Sequence, residues 1–227
     1  RGGGHSAAGN SVCDGGLMID LSPLKQTDVN PENRTIRAGS GLNWAEFDLA
    51  TQAHGLATTG GVIGTTGIAG LTLGGGIGWL SRLHGLTIDN LLSADVVTAD
   101  GARITASANE NPDLFWGLRG GGGNFGIVTS FEYRLHPLGP QVIAGPVFYP
   151  MAQAREMFRF YREWAPTLPD WCNTGIGFLT VPAVPMFPAE LHDQLLAGVF
   201  FAAFDQFDQV EALARPLRTF GKPALDM

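Results

Sequence analysis

Two hydrophobic periods run through this chain, one of two residues and one of three to four, with glycine runs between them. LMIDL (17–21), TIRAGSG (35–41) and IVTSFEYRL (127–135) read as strands. NWAEFDLATQAHG (43–55) reads as a helix: Asn43 caps it, Glu46 completes a capping box three residues on, and Gly55 ends it. ADVVTADGARITA (94–106) is two β-rich runs around Asp100-Gly101, a hairpin signal. Asn109 and Pro112 then introduce a helix through DLFWGLRG. At HPLGP (136–140) two prolines and a glycine follow a finished strand, which predicts a boundary between a unit 1–139 and a unit 140–227. The second unit reads as strand (142–149), helix (151–164), strand (174–181), strand (195–204) and helix (206–219). Between its strands, VPAVPMFPAE (181–190) is too rich in proline for either element and is expected as an extended connection at the surface or at the mouth of a site.

Composition changes this picture at one point. Glycine supplies 32 of 227 residues, about twice ordinary usage, and clusters before position 145. Charge excludes more than it suggests: 14 Lys and Arg against 21 Asp and Glu give −7, with no basic stripe for nucleic acid. At 44% hydrophobic and 15% charged residues, the chain has material for a core and is not expected to be disordered. It carries no apolar run of membrane-spanning length and no recognisable leader, so a soluble, cytoplasmic protein is the default expectation. Cys13 and Cys172, far apart and outside any ligand spacing, are expected as free buried thiols, with no metal site. A start at Arg1, inside a glycine-rich motif, suggests a fragment.

The glycine clusters admit several chemistries. GGGNFG (121–126) fits GxGxxG, but a helix precedes it and a strand follows, the reverse of the dinucleotide-binding order. No GxxxxGK[ST] phosphate loop is present. GHSAAG (4–9) resembles a hydrolase nucleophile elbow around Ser6, with Asp100 and His136 or His192 available only by chain order. Alternatively RGGGHS, GGVIGTTGIAGLTLGGGIG and GGGGNFGIV supply backbone N–H donors to one shared, elongated anionic ligand, and a flavin dinucleotide has that shape. Tight turns and bulges are the plainer explanation of the same glycines.

RGGGHS, TTGGVIGTTGIAGLTLGGGIGWLSRLHGLTIDNLLSADVVTADG and NPDLFWGLRGGGGNFGIVTSFEYRLHPLG, in that order from Arg1 to about Gly139, resemble the flavin domain of the berberine-bridge-enzyme-like oxidases, of the vanillyl-alcohol-oxidase type. The resemblance implies an α+β fold: a partial PCMH-type FAD-binding domain without its N-terminal subdomain, followed by the start of an antiparallel-sheet substrate domain. It implies that Arg1, Gly2, Gly3, Gly4 and Ser6 wrap the pyrophosphate and that His5 bonds covalently to the flavin 8α carbon. Gly61, Val62, Ile63, Gly64, Thr65, Thr66, Gly67 and Gly70 would run along the isoalloxazine, and Gly74, Gly75 and Gly76 would let backbone pass against it. Ile63 stands where doubly linked members have cysteine, so a single link is expected. Thr66 falls where the family controls oxygen access, and Leu71 where such members often have histidine. Asn90 belongs to the same stretch as His84, itself expected to pack or hydrogen-bond; Gly123, Asn124, Gly126, Ile127 and Val128 match the part that meets the adenine end.

The activity implied is hydride transfer from a C–H beside oxygen or nitrogen of a small organic substrate to FAD, with molecular oxygen as acceptor giving hydrogen peroxide. The substrate-deprotonating base is expected beyond Met227, and no nucleic acid or membrane partner is implied. A serine hydrolase using Ser6 and an inactive flavin-binding relative remain as alternatives.

Overall fold

Short alternating runs joined by turns pair antiparallel with their neighbours. In the computed structural model, which describes residues 1–9 and 11–227, every strand pairing among the described residues is antiparallel. The chain forms two units, Arg1–Pro140 and Gln141–Met227. The first runs β1 (Thr27–Asn30), β2 (Thr35–Gly39), α1 (Trp44–Gln52), β3 (Leu56–Ala57), α2 (Ile68–Leu73), α3 (Ser81–His84), β4 (Leu91–Val97), β5 (Arg103–Ser107), α4 (Pro112–Leu118), β6 (Ile127–Arg134) and β7 (His136–Pro137). Its five-stranded sheet has the order β1-β2-β6-β4-β5, and β3 pairs β7 separately. The late strand β6 thus closes the sheet by inserting between two earlier hairpins.

Local signals explain much of this. Asn43 accepts from the Glu46 N–H at 2.9 Å while the Glu46 carboxylate accepts from the Asn43 N–H at 2.9 Å, so the capping box is complete. The Asp100-Gly101 signal marks the β4–β5 hairpin, with Gly101 at φ +82°. LMIDL, by contrast, is not a strand. The ladder bonds described for it join Arg1, from Leu21 N–H to Arg1 O at 2.9 Å and from the Arg1 nitrogen to Ile19 O, and Leu17 and Ile19 stay exposed. Cys13 is exposed rather than buried, because its loop packs into no core; Cys172 is buried, and neither forms a disulfide.

An aromatic cluster holds the first core. Trp44, Phe47, Phe131 and Tyr133 are fully buried, with Trp44 and Phe47 edge to face at 5.0 Å and Phe47 and Tyr133 at 5.5 Å. The Tyr133 hydroxyl lies 2.7 Å from the Thr72 hydroxyl, tying β6 to α2, and burial raises its pKa well above the ordinary phenol range.

The second unit runs β8 (Ile143–Pro150), α5 (Ala154–Trp164), β9 (Cys172–Thr180), β10 (Leu195–Ala203), α6 (Val210–Thr219) and β11 (Leu225–Asp226), with sheet order β11-β8-β10-β9. One face of β8–β10–β9 meets the helices, as in the Phe158–Phe178 edge contact at 5.5 Å. The other carries Phe148, Leu196 and Phe200, over which the proline-rich connection folds Val181 and Phe187. That connection is therefore a packed loop rather than an extended one, its ends joined by Val181 N–H to Gln194 O at 3.0 Å.

Candidate cofactor site

Three glycine-bearing segments of the first unit meet in one cleft. The first helix sets the position of the second segment. The Trp44 N–H donates to Thr66 O at 3.0 Å, the Ala45 N–H to Gly64 O at 2.9 Å, and the Ile68 N–H to Leu42 O at 3.0 Å. The free N–H groups of the first turn of α1 are thereby satisfied by the loop 63–67, which is fixed in return. Gly3 then lies backbone to backbone on Gly67. A Cβ at Gly3 would overlap the Gly67 nitrogen and come within 2.9 Å of Thr65 O, and a Cβ at Gly67 would overlap the Gly3 nitrogen. Only glycine at both places allows this approach. The third segment joins through Gly122 N–H to Leu73 O at 2.9 Å.

The resulting cleft has a volume of about 660 Å³, within the range of small-molecule sites. Its lining is Arg1, Gly2, Gly3, Gly4, His5, Ser6, Ser11, Thr66, Gly67, Gly70, Leu71, Leu73, Gly74, Gly122 and Gly123. More than half of these are glycine, so the wall is largely backbone, able to turn N–H groups toward an anion without side-chain obstruction. Among the described residues no carboxylate lines it, although the chain as a whole carries −7. Arg1 and three hydroxyl side chains complete the donor set. An elongated, polyanionic group such as FAD fits this wall, and no residue of the lining opposes its charge.

Among the described residues of the lining, His5 is the one ionisable base besides Arg1. Its Nε2 lies 2.9 Å from the Thr65 hydroxyl, and its Nδ1 lies 3.4 Å from the Thr66 hydroxyl. Both imidazole nitrogens are therefore bracketed by neighbouring threonines of one loop. Thr66 lines the cleft, whereas Thr65 is exposed and outside the lining.

The other residues nominated from sequence occupy different places. Gly61 is pressed against the Trp44 indole, where a Cβ would meet Cδ1 at 2.8 Å, and Gly64 spends its carbonyl on α1. Val62 and Ile63 expose their side chains, at 55% and 57%, in the same loop. The carbonyls of Gly75 and Gly76 accept from the Ile88 and Thr87 N–H groups at 3.2 and 3.0 Å. Asn90 is buried and internally committed: its Nδ2 donates to His84 O and Leu86 O, and its Oδ1 meets His136 Nε2 at 2.6 Å. Asn124 donates to Gly121 O at 2.9 Å. Gly126 lies beside Val97, Ile127 pairs with Val97, and the Val128 side chain belongs to the core. On the β2 side the β6 register begins only at Ser130, leaving the other backbone edge of Ile127 and Val128 outside that ladder.

Sequence reading did not nominate Ser11, Leu71, Leu73 or Gly122 as lining residues. For Leu71 a signal existed: Gly67, Gly70, Leu71 and Gly74 recur at three- and four-residue spacing, one face of α2 and its caps. The residues proposed to serve Ser6 are engaged elsewhere. Asp100 is held in its own hairpin by the Thr98 hydroxyl and the Ala102 N–H, His136 stacks on His84 at 3.7 Å, and His192 Nε2 sits 3.1 Å from Phe187 O. Among the described residues no three His, Cys, Asp or Glu side chains are grouped to hold a metal, and no helix is long and apolar enough to cross a membrane.

The chain is similar to known proteins in sequence and fold. A family model described as an FAD binding domain matches residues 1–107. Over 138 residues the chain is 49% identical to the FAD-linked oxidoreductase pgmH of Aspergillus terreus, a match covering 61% of the chain and 28% of that protein. It is 35% identical over its whole length to the uncharacterized FAD-linked oxidoreductase YgaK of Bacillus subtilis, of which it covers 49%. Among solved structures, 6-hydroxy-D-nicotine oxidase from Arthrobacter nicotinovorans aligns over the whole chain at 28% identity and a TM-score of 0.88, with 49% of that chain covered. The chain thus spans half or less of the length of these relatives.

Proposed function

We propose, for a chain that belongs to the berberine-bridge-enzyme-like FAD-linked oxidoreductases, that its first unit holds FAD through a single covalent link at His5. The full-length protein would then oxidise a small organic substrate by hydride transfer from a C–H beside oxygen or nitrogen, with molecular oxygen as acceptor. The observation that carries this reading is the placement of the His5 imidazole, between two threonine hydroxyls, on the wall of a glycine-lined cleft without carboxylates.

The division of labour follows from the lining. Backbone N–H groups of Gly2, Gly3 and Gly4, with Arg1 and Ser6, bind phosphate oxygens. The Gly67–Gly74 face of α2 lies along the cleft with Leu71 and Leu73 as its apolar floor. Ile63 offers no thiol, so no second bond to the ring forms from that position. Thr66, small and polar, leaves dioxygen a path to the reacting edge of the ring. Bound FAD supplies the two-electron acceptor that no side chain provides.

The test uses the full-length protein, acid-precipitated and digested, with the His5 peptide read by mass spectrometry. A flavin adduct on that peptide, and peroxide formation during turnover, are expected. An unmodified His5 peptide from yellow protein would remove the covalent link and leave a non-covalent flavoprotein. Colourless protein would remove the cofactor assignment altogether.

A further inference from the structure

The exposed Thr65, whose hydroxyl lies 2.9 Å from His5 Nε2, is outside the cleft lining, while His5 Nδ1 lies 3.4 Å from the hydroxyl of Thr66, which lines the cleft. A neutral imidazole has one N–H and one lone pair, and its tautomer is set by the partner of the nitrogen that keeps the proton. We infer that Thr65 is a positioning residue for covalent flavin attachment: its hydroxyl accepts the Nε2–H of His5, leaving the Nδ1 lone pair directed into the cleft as the bonding nitrogen. This rests on the covalent reading proposed above.

The arrangement is rigid for a reason already visible in the loops. Gly3 packs on Gly67 and against the Thr65 carbonyl, so the backbone two residues before His5 is held to the loop that carries the hydroxyl. The Thr65 loop is in turn held by α1 through Gly64 O and Thr66 O. His5 and Thr65, sixty residues apart in sequence, thus meet on paired backbones rather than on flexible side chains alone.

Nδ1 forms the new bond to the 8α carbon, and one hydrogen of that methyl group leaves as a proton. Bond formation makes the ring an imidazolium still carrying Nε2–H, and its proton is then lost past the Thr65 hydroxyl. The two electrons left on the flavin pass, with two protons, to dioxygen, giving hydrogen peroxide. Thr65 acts twice, first selecting the nucleophilic tautomer and then accepting a hydrogen bond from the cationic ring, a stronger bond than one between neutral groups.

The test compares Thr65→Val and Thr65→Ser in the full-length protein, made flavin-free and then supplied with FAD. The measurements are total bound flavin, the rate at which the His5 peptide gains the flavin mass, and the pH profile of that rate. Thr65→Val, which keeps the size and loses the hydroxyl, is expected to bind FAD yet attach it about tenfold more slowly, as loss of a charge-assisted bond implies. Thr65→Ser is expected to restore the rate and its pH profile. Attachment by Thr65→Val at the unaltered rate would overturn the role of Thr65 alone. An unmodified His5 peptide in the unaltered protein would overturn the covalent link, and this inference with it. If Thr65→Val fails to fold, attachment by Thr65→Ser about tenfold more slowly than by the unaltered protein would overturn the inference as well.

Discussion

Gly3 and Gly67 form a contact that no side chain could enter, and the two positions carry different consequences from the other glycines of the cleft. At Gly3 the neighbours are backbone atoms of Gly67 and Thr65, which cannot rotate away. Gly3→Ala is therefore expected to part the two loops, costing about 1–3 kcal/mol, and to withdraw His5 from Thr65. The check is a lowered thermal midpoint together with loss of flavin from the His5 peptide; an unchanged midpoint would show that the loops yield cheaply. Gly70 is the informative contrast. It sits within α2, lines the cleft, and a Cβ there would meet nothing within 4 Å. Replacing a helical glycine by alanine stabilises by about 0.5–1 kcal/mol where space allows. Gly70→Ala is accordingly expected to raise the midpoint of the flavin-free protein and to weaken FAD binding, because the new methyl group projects into the cleft. A variant that gains stability and keeps full affinity would place the cofactor away from this face.

Helix α1 links a capping motif to the site, since its first turn is satisfied partly by Asn43 and partly by the carbonyls of Gly64 and Thr66. Asn43→Ala removes the side-chain acceptor for the Glu46 N–H, at an expected cost of about 1 kcal/mol. Faster hydrogen exchange is expected at Trp44 and Ala45 and, since they share this junction, at the amides of the 63–67 loop. Protection unchanged in that loop would mean that it holds its shape without the helix. The capping box was legible because its two residues are three positions apart and need no tertiary partner. The Asp100-Gly101 hairpin and the strand-helix-strand-strand-helix order of the second unit were legible for the same local reasons. LMIDL misled because its apolar run carries strand propensity, but its ladder bonds join Arg1 rather than a sheet. Helix α2 was invisible because glycine at 67, 70 and 74 hides its periodicity, and α3 because four residues, none of them buried, are too few to show a period. In the site, the glycine runs and His5 stood out in the sequence, whereas the Thr65–His5 contact depends on the pairing of two distant loops and had no local signal.

At the scale of the first unit, its pH response has an identifiable source. His84, in α3, and His136, in β7, stack with rings 3.7 Å apart and nearly parallel. His136 Nε2 must be the protonated nitrogen, since Asn90 donates its Nδ2 to two carbonyls and turns Oδ1 to the ring. Burial, then repulsion from His84, Arg134 and Arg34, pushes the pKa of His136 down to about 4. Burial likewise lowers that of His84, whose Nε2 is buried with no partner among the described residues. Both rings are thus neutral in the folded state near pH 7, and protonating them would set two cations face to face. In the unfolded chain histidine titrates near 6.5. Between about pH 6.5 and pH 4 the unfolded state therefore binds more protons than the folded one, and stability falls as pH falls through that window. The half-exposed rings keep contact with water, so the loss is expected to be on the order of 1 kcal/mol rather than the full equivalent of the shift. His136→Gln keeps a donor for Asn90 and removes the titrating partner. Thermal midpoints of the two proteins should lie close together at pH 7.5 and diverge as the pH is lowered toward 4, with the unaltered protein losing more. Parallel curves would show that the acid response comes from carboxylates alone, and that the stacked pair is only a packing contact between α3 and β7.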